Sequence, residues 1–355
     1  MKKGIFIVVM LALIVSMNAF AAGGRDRAVE GEKWIAIAMT PLTNPFHRTM
    51  FRFAEEAIEE ARVTHPHLRF RFYHSSDNEV QVNNMELILQ GAREGRYQGV
   101  LVSTFDGVLM AEPAARIHRL GVPVVVVNRE LVTHEFTAFV TGDNYQGGVN
   151  VARYMGNYLT RTLGIANPNV YIIGMQLGTP IAIDRSSGFE RIMRTEFPQI
   201  RILGTTEGEH NIEAGFNAMQ NVLAAHPRID AVYSHDPFSA MGQEQAIINA
   251  RRTDVRLIMA CAPDQSVVAH MRANPNTIFR GNFAYPPIMM GDAVRQLIRL
   301  VDGVPACNCP RPPAGTIMCC DRPNTVARWQ VAPADLMMID NLDQWAHLVP
   351  SITGR

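Results

Sequence analysis

The chain has no charge excess: of its 355 residues, 33 are Lys or Arg and 33 are Asp or Glu, a formal net charge of +0. A protein that wraps polyanions usually carries a basic surplus, so neutrality argues against nucleic acid and for a small, uncharged or weakly charged partner. Beyond position 21 no stretch is apolar enough to cross a bilayer. The signatures of common catalytic sites are missing as well: no G-x-S-x-G elbow, no H-E-x-x-H, no Walker loop and no G-x-G-x-x-G. The 11 histidines show no metal-ligand spacing; His65 and His67, which flank Pro66, read as a solvated turn. Cysteine is scarce, with 5 residues in all, and all but Cys261 crowd into one C-terminal segment.

What is present begins with the first 21 residues. Lys2 and Lys3 precede an uncharged, mostly apolar run over 5–17, which closes on Ala19-Phe20-Ala21. This small-x-small ending is what a signal peptidase accepts, so 1–21 reads as a cleavable signal peptide rather than a membrane anchor, for which a span of about 20 apolar residues is needed. No Cys stands at the cleavage site to carry a lipid. The expected location is extracytoplasmic, the periplasm. In that oxidising setting Cys307, Cys309, Cys319 and Cys320 are read as disulfide partners, with a four-thiolate zinc site as the alternative. Adjacent Cys319 and Cys320 are poorly placed to pair with each other. The expectation is that each reaches back to Cys307 or Cys309, over the Pro-rich loop between them, in a structural role.

About 330 residues remain, enough for two ordinary domains, and a hydrophobic fraction of 47% supports full cores. Short apolar runs alternate with helical patterns. Strands are expected at 34–39, 68–73, 99–103, 123–128 and 136–141, with helices at 46–61, 80–92 and 108–120 between them. The alternation restarts after Gly142-Asp143-Asn144. Helices are expected at 145–163, 185–196, 212–225, 239–250, 266–273 and 287–301, and strands at 170–175, 201–205, 231–234, 257–260 and 277–280. Continuous apolar strands alternating with helices imply parallel sheets covered on both faces, here in two doubly wound α/β domains. Ligands of such sheets sit beyond the carboxyl ends of the strands, and two facing carboxyl edges make a cleft for a small molecule.

The order of motifs TNPFH (43–47), VVVVNRE (124–130), TGDN (141–144), DRSSGF (184–189), GFNAMQN (215–221) and AVYSHDPFSAMG (231–242) resembles that of type I periplasmic sugar-binding proteins of the ribose-binding kind. The resemblance runs from about Lys33 to the C-terminus. It implies two lobes joined by a three-segment hinge: 32–141 with 286–330, carrying a Cys-rich insertion at 305–322, and 142–285 with 331–355. It also implies a sugar bound between them, with no cofactor and no metal. Asn44 matches a residue that hydrogen-bonds a sugar hydroxyl, and Phe46 an aromatic that packs on the apolar face of a sugar ring, against plain core packing as the simpler reading. His47 stands where a second aromatic is common. Asn128 and Arg129 match an Asp-Arg or Asn-Arg pair, Arg185 a second arginine from the other lobe, and Asp236 an acceptor for hydroxyls. Arg185 has as its alternative a solvated cation at a helix start. Ser103 matches a polar ligand contact, with a turn-capping hydroxyl as its alternative.

Departures from the family's pattern fall in the second lobe. Cys261-Ala262-Pro263 stands where an Asp is common, with Asp264 displaced; Tyr285 replaces a Gln or Asn; His210 replaces a stacking aromatic. Two arginines facing fewer carboxylates suit an acidic sugar or an unusual ring form. The function expected from the resemblance is a monomeric, non-enzymatic receptor that captures a monosaccharide, polyol or sugar acid by hinge closure and delivers it to an ABC permease. A receptor reporting to a sensor kinase or chemoreceptor is the alternative. A sugar-responsive repressor would need a DNA-binding segment where the leader stands.

Overall fold

In β4 (Val124–Val127) each of four consecutive valines is 0% exposed. Such a run is what a strand covered on both faces requires. The computed structural model describes residues 31–263, 265–310, 325–332 and 335–345. The expected leader (1–21), Asp264, Cys319, Cys320 and the end of the tail lie outside the described residues. β4 sits among β1 (Lys33–Ala38), β2 (Leu68–Tyr73), β3 (Tyr97–Ser103), β5 (Ala138–Gly142) and β11 (Trp329–Ala332), in the parallel order β11-β5-β4-β3-β1-β2. The second sheet runs β12-β10-β9-β8-β6-β7, from β6 (Asn169–Gly174), β7 (Arg201–Glu207), β8 (Ala231–Ser234), β9 (Leu257–Cys261), β10 (Phe279–Phe283) and β12 (Leu336–Met338). It is parallel except for β12, which pairs antiparallel to β10.

Helices α1 (Pro45–Thr64), α2 (Asn78–Arg93), α3 (Ala111–Arg119) and α9 (Met289–Val301) cover the first sheet. Helices α4 (Asn144–Asn157), α5 (Pro180–Glu196), α6 (Ile212–Ala225), α7 (Pro237–Asn249) and α8 (Gln265–Ala273) belong to the second lobe, α4 continuing as a π turn over Tyr158–Thr162. Period-two alternation divides the strands between faces. Along β1, Ile35, Ile37 and the following Met39 pack with α1 and α9, whereas Ala36 and Ala38 pack under α2 and α3 with Ile88, Val100 and Val102. The chain crosses between lobes at Asp143, again between β10 and α9, and a last time between Ala332 and Leu336. The expected boundary at Val331 thus falls inside β11.

Several helices begin earlier than apolar periodicity predicts. Asn44, Thr179 and Asp236 each accept a hydrogen bond from the first turn of a helix whose first residue is proline, at 45, 180 and 237. A polar cap followed by proline at the first helical position is a start signal independent of hydrophobic spacing. Arg185 therefore lies in the second turn of α5, not at a helix start. β10 runs later than expected, so Asn282 is a buried strand residue. In the Cys-rich region, Cys307 N donates to Val326 O at 2.9 Å and Trp329 Nε1 to Cys309 O at 3.3 Å. These bonds tie the start of that segment to β11 and to Val326 just before it.

Candidate functional site

The carboxyl ends of both sheets face one narrow cleft, with about 60 Å³ open to the centre of a water-sized sphere. From the first lobe it is lined by Asn44, Phe46, His47, Asn128 and Arg129; from the second by Met175, Ile181, Arg185, His210, His235, Asp236, Pro237, Phe238, Ala262 and Tyr285. Of the site residues expected from the sequence, Ser103 alone is not in this lining. It is fully buried, and the strand ends beside it are bridged by Gln81. Gln81 Nε2 donates to Ser103 O at 2.9 Å and to Met39 O at 3.3 Å, and its Oε1 accepts from Phe105 N at 3.2 Å.

The first-lobe half is held largely by backbone groups. Asn44 Oδ1 accepts from Phe46 N at 2.8 Å, which caps α1 and turns the Phe46 ring toward Tyr285, 5.6 Å between centroids. His47 Nδ1 lies 3.1 Å from Pro41 O. A carbonyl only accepts, so Nδ1 carries the proton and Nε2 is left as an acceptor. Arg129 Nη1 donates to Phe105 O at 2.8 Å, and its guanidinium lies 4.9 Å from the Phe105 ring centroid. Asn128 has φ +74°, a left-handed conformation asparagine adopts more readily than most residues. Its Oδ1 accepts from Tyr285 Oη at 3.0 Å. Thr141 Oγ1 lies 3.1 Å from the same hydroxyl, so Tyr285 ties the second lobe to the first at the crossing. Gly142 makes room for this ring: a Cβ there would stand 2.4 Å from Tyr285 Cε2.

The second-lobe half is a side-chain network. Arg185, 3% exposed, donates from Nε to Asn144 Oδ1 at 3.0 Å and from Nη1 to His235 O at 2.6 Å. Its guanidinium lies 5.1 Å from the Phe283 ring centroid and 5.3 Å from that of Tyr285. Asp236 Oδ1 accepts from Phe238 N and Ser239 N, both at 2.9 Å, and Oδ2 accepts from His210 Nδ1 at 3.1 Å. Cys261 is a core residue: its Sγ donates to Ser234 O at 3.5 Å, and burial pushes its thiol up to about 11. The pocket position is Ala262, held at φ +55°. That conformation costs an alanine about 1–2 kcal/mol.

Burial sets the charge states. It lowers His47 from 6.5 to about 4, with the neighbouring Arg129 contributing. Burial likewise holds His235 well below the usual imidazole value, and Arg185 adds to this. Both rings are neutral near pH 7. Burial also lowers the Arg129 guanidinium, and the like charge of Arg185 adds to the fall. Among the described residues no group of His, Cys, Asp and Glu could hold a metal ion.

His235 stood in the AVYSHDPFSAMG motif without an assigned role. Sequence reasoning passed over Met175, Ile181 and Phe238, whose apolar character carries no signal distinguishing pocket from core. Asn144, which orients Arg185, stood in the TGDN motif without an assigned role.

The family described as periplasmic binding protein domain matches residues 35–303. The ribose import binding protein of Escherichia coli (strain K12) is 23% identical over 248 residues, spanning 70% of this chain and 78% of that protein. Among solved structures, an ABC transporter solute binding protein from Bacillus halodurans with bound myo-inositol superposes with a TM-score of 0.72 at 17% identity, covering 90% of this chain and 99% of that one. The fructose binding periplasmic domain of a hybrid two component system gives a TM-score of 0.67 at 19% identity, covering 89% and 95%.

Proposed function

This chain belongs to the periplasmic binding protein domain family, a family of binding proteins rather than enzymes, and from that premise we propose that it captures a monosaccharide, or a related polyol or sugar acid, in the interlobe cleft and delivers it to an ABC importer. The observation that carries this reading is the convergence of both lobes on one cleft, with Phe46 and Tyr285 as aromatic faces and Arg129 and Arg185 as donors. An aromatic face packs on the C–H face of a sugar ring, while guanidiniums and amides take its oxygens. The Oδ1 of Asn44 is engaged in capping α1, so its amide NH2 is the group offered to ligand. Ligand held from both sides favours the closed arrangement of the lobes, by rotation about the three crossings. Periplasmic location follows from the family and from the leader at 1–21. The protein acts as a monomer, and Cys307, Cys309, Cys319 and Cys320 brace the tail through disulfides.

A thermal-shift screen of the purified protein against pentoses, hexoses, polyols and sugar acids tests this. A ligand that binds only the folded state raises Tm by mass action, about 2.7 kcal/mol of added stability at a hundredfold excess over Kd. Arg129→Ala is expected to abolish the shift. No shift with any carbohydrate sinks the reading. The alternative partner, a sensor kinase, is suggested by a structural relative, the fructose binding domain of a two component system. Retention of the ligand-loaded protein on a solubilised ABC permease selects the importer.

A further inference from the structure

The two arginines of the cleft are held by neutral groups rather than by carboxylates. Arg185 contacts only neutral groups: Asn144 Oδ1, His235 O, Met175 Sδ and two aromatic rings. Arg129 contacts Phe105, through its carbonyl and its ring. Neither forms an ion pair among the described residues; Arg185 lowers Arg129, and the Asp106 carboxylate offsets part of that fall without pairing with it. The one carboxylate in the lining, Asp236, is already engaged by two backbone amides and His210. Holding like charges together in a buried place is costly unless an opposite charge arrives.

Two acceptors are nonetheless missing or taken, although His47 Nε2 stays open. Ala262 provides no side-chain acceptor, and Asn128 Oδ1 already takes the Tyr285 hydroxyl. We propose that the ligand is a monosaccharide bearing one carboxylate, a uronate or an aldonate, clasped between Arg129 and Arg185. This inference rests on the receptor reading above and narrows it to one substrate class. A planar carboxylate matches the fork of a guanidinium and brings anionic acceptors for its N–H groups. A phosphate fits less well. Part of the amides at the nearby helix starts is taken by caps: Phe46 N by Asn44, Ala182 N by Thr179, and Phe238 N and Ser239 N by Asp236. A dianion would also meet Asp236. The aromatic pair Phe46 and Tyr285 remains for the ring or carbon chain.

Calorimetric titration with matched pairs tests this: galacturonate against galactose, glucuronate against glucose, and gluconate against sorbitol. At least one acid is expected to bind more than about tenfold tighter than its neutral partner, with the advantage shrinking as salt is raised. In Arg129→Gln the acid loses affinity by about tenfold or more and the preference collapses. Ring and open-chain acids distinguish a uronate site from an aldonate site. Neutral sugars binding as tightly as their acids, an unchanged preference in Arg129→Gln, or tighter binding of glucose 6-phosphate than of any sugar acid each overturns the proposal while leaving the receptor reading intact. Failure of acids and neutral sugars alike removes both. The comparison of matched pairs on the parent protein does not depend on how any variant folds.

Discussion

The two lobes share an architecture but not a way of packing. In the second lobe, helices meet backbone to backbone through glycine. A Cβ on Gly188 of α5 would lie 2.2 Å from Tyr145 O of α4, and one on Gly148 of α4 would lie 2.2 Å from Arg185 O of α5. The α6–α7 pair repeats the device with Gly215 and Gly242, where a Cβ would stand 2.2 Å from Ser239 O and 1.9 Å from Ile212 O. In the first lobe, α1 and α9 are spaced by side chains such as Met50, Ala54, Val294 and Leu297, and at Gly291 the nearest contact for a Cβ is Phe53 O at 3.0 Å. The difference reaches the site. The close approach of α5 to α4 puts the Arg185 guanidinium on Asn144, so the second-lobe half of the cleft is a rigid side-chain network. The first-lobe half hangs on loop carbonyls at Pro41 and Phe105. One half is built into the packing of its lobe, the other is added at its edge.

The sharpest way to break this comparison is to add a methyl group on each side. Gly188→Ala is expected to cost about 3 kcal/mol or more, because the obstacle is backbone that cannot rotate away. Gly291→Ala should cost less than about 1 kcal/mol, partly offset by alanine's better helix propensity. Urea unfolding of both variants decides it, and equal costs would mean that the second lobe is no more tightly locked than the first.

The arginines give the next largest contrast. Arg185→Ala leaves the carbonyl of His235 and the amide oxygen of Asn144 without their donor in a buried place, an expected loss of about 2 kcal/mol in ligand-free stability. Arg129→Ala should lose no more than about 0.5 kcal/mol, since Arg129 is half-buried and its carbonyl partner belongs to the exposed Phe105. If chemical denaturation shows the two variants equally destabilised, the distinction between a packed half and an added half is wrong.

The smallest effect is in the pH dependence. His47 titrates near 4 in the folded protein and near its ordinary 6.5 when unfolded. Its contribution is complete above about pH 6.5 and is lost as pH falls toward 4, because the unfolded chain then takes up a proton the native state refuses. Between pH 7 and pH 5 the loss is about 1–2 kcal/mol. His235, lowered for the same reason, acts in the same direction from the second lobe. Melting curves of the parent and of His47→Gln at both pH values isolate the first-lobe share; parallel Tm profiles would show that His47 is not held neutral by burial.

Much of this was legible because it depends on local or periodic patterns. The run PVVVVN announced a strand covered on both faces, and Arg129 and Asp236 sit just beyond strands that alternation located. Helix starts at Pro45, Pro180 and Pro237 were misplaced by hydrophobic spacing, although their Asn, Thr and Asp caps were visible as a chemical pattern. Ser103 is the expected residue that lies outside the cleft lining. Nothing in its neighbourhood shows that Gln81, more than 20 residues away, closes off the strand end it shares.

The sequence alone determined what depends on composition and order: the paired α/β lobes, the neutral chain, the two arginines and the thinning of carboxylates opposite them. Tertiary structure decided everything that depends on which groups exhaust one another. Only in the folded chain does Tyr285 occupy the acceptor of Asn128, Asp236 spend its oxygens on α7 and His210, and burial hold His47 and His235 neutral. The reason is that hydrogen-bond capacity and desolvation are properties of a site's surroundings. Those surroundings come from segments as far apart as Asn44 and Tyr285, brought together by two sheets whose carboxyl ends face one cleft.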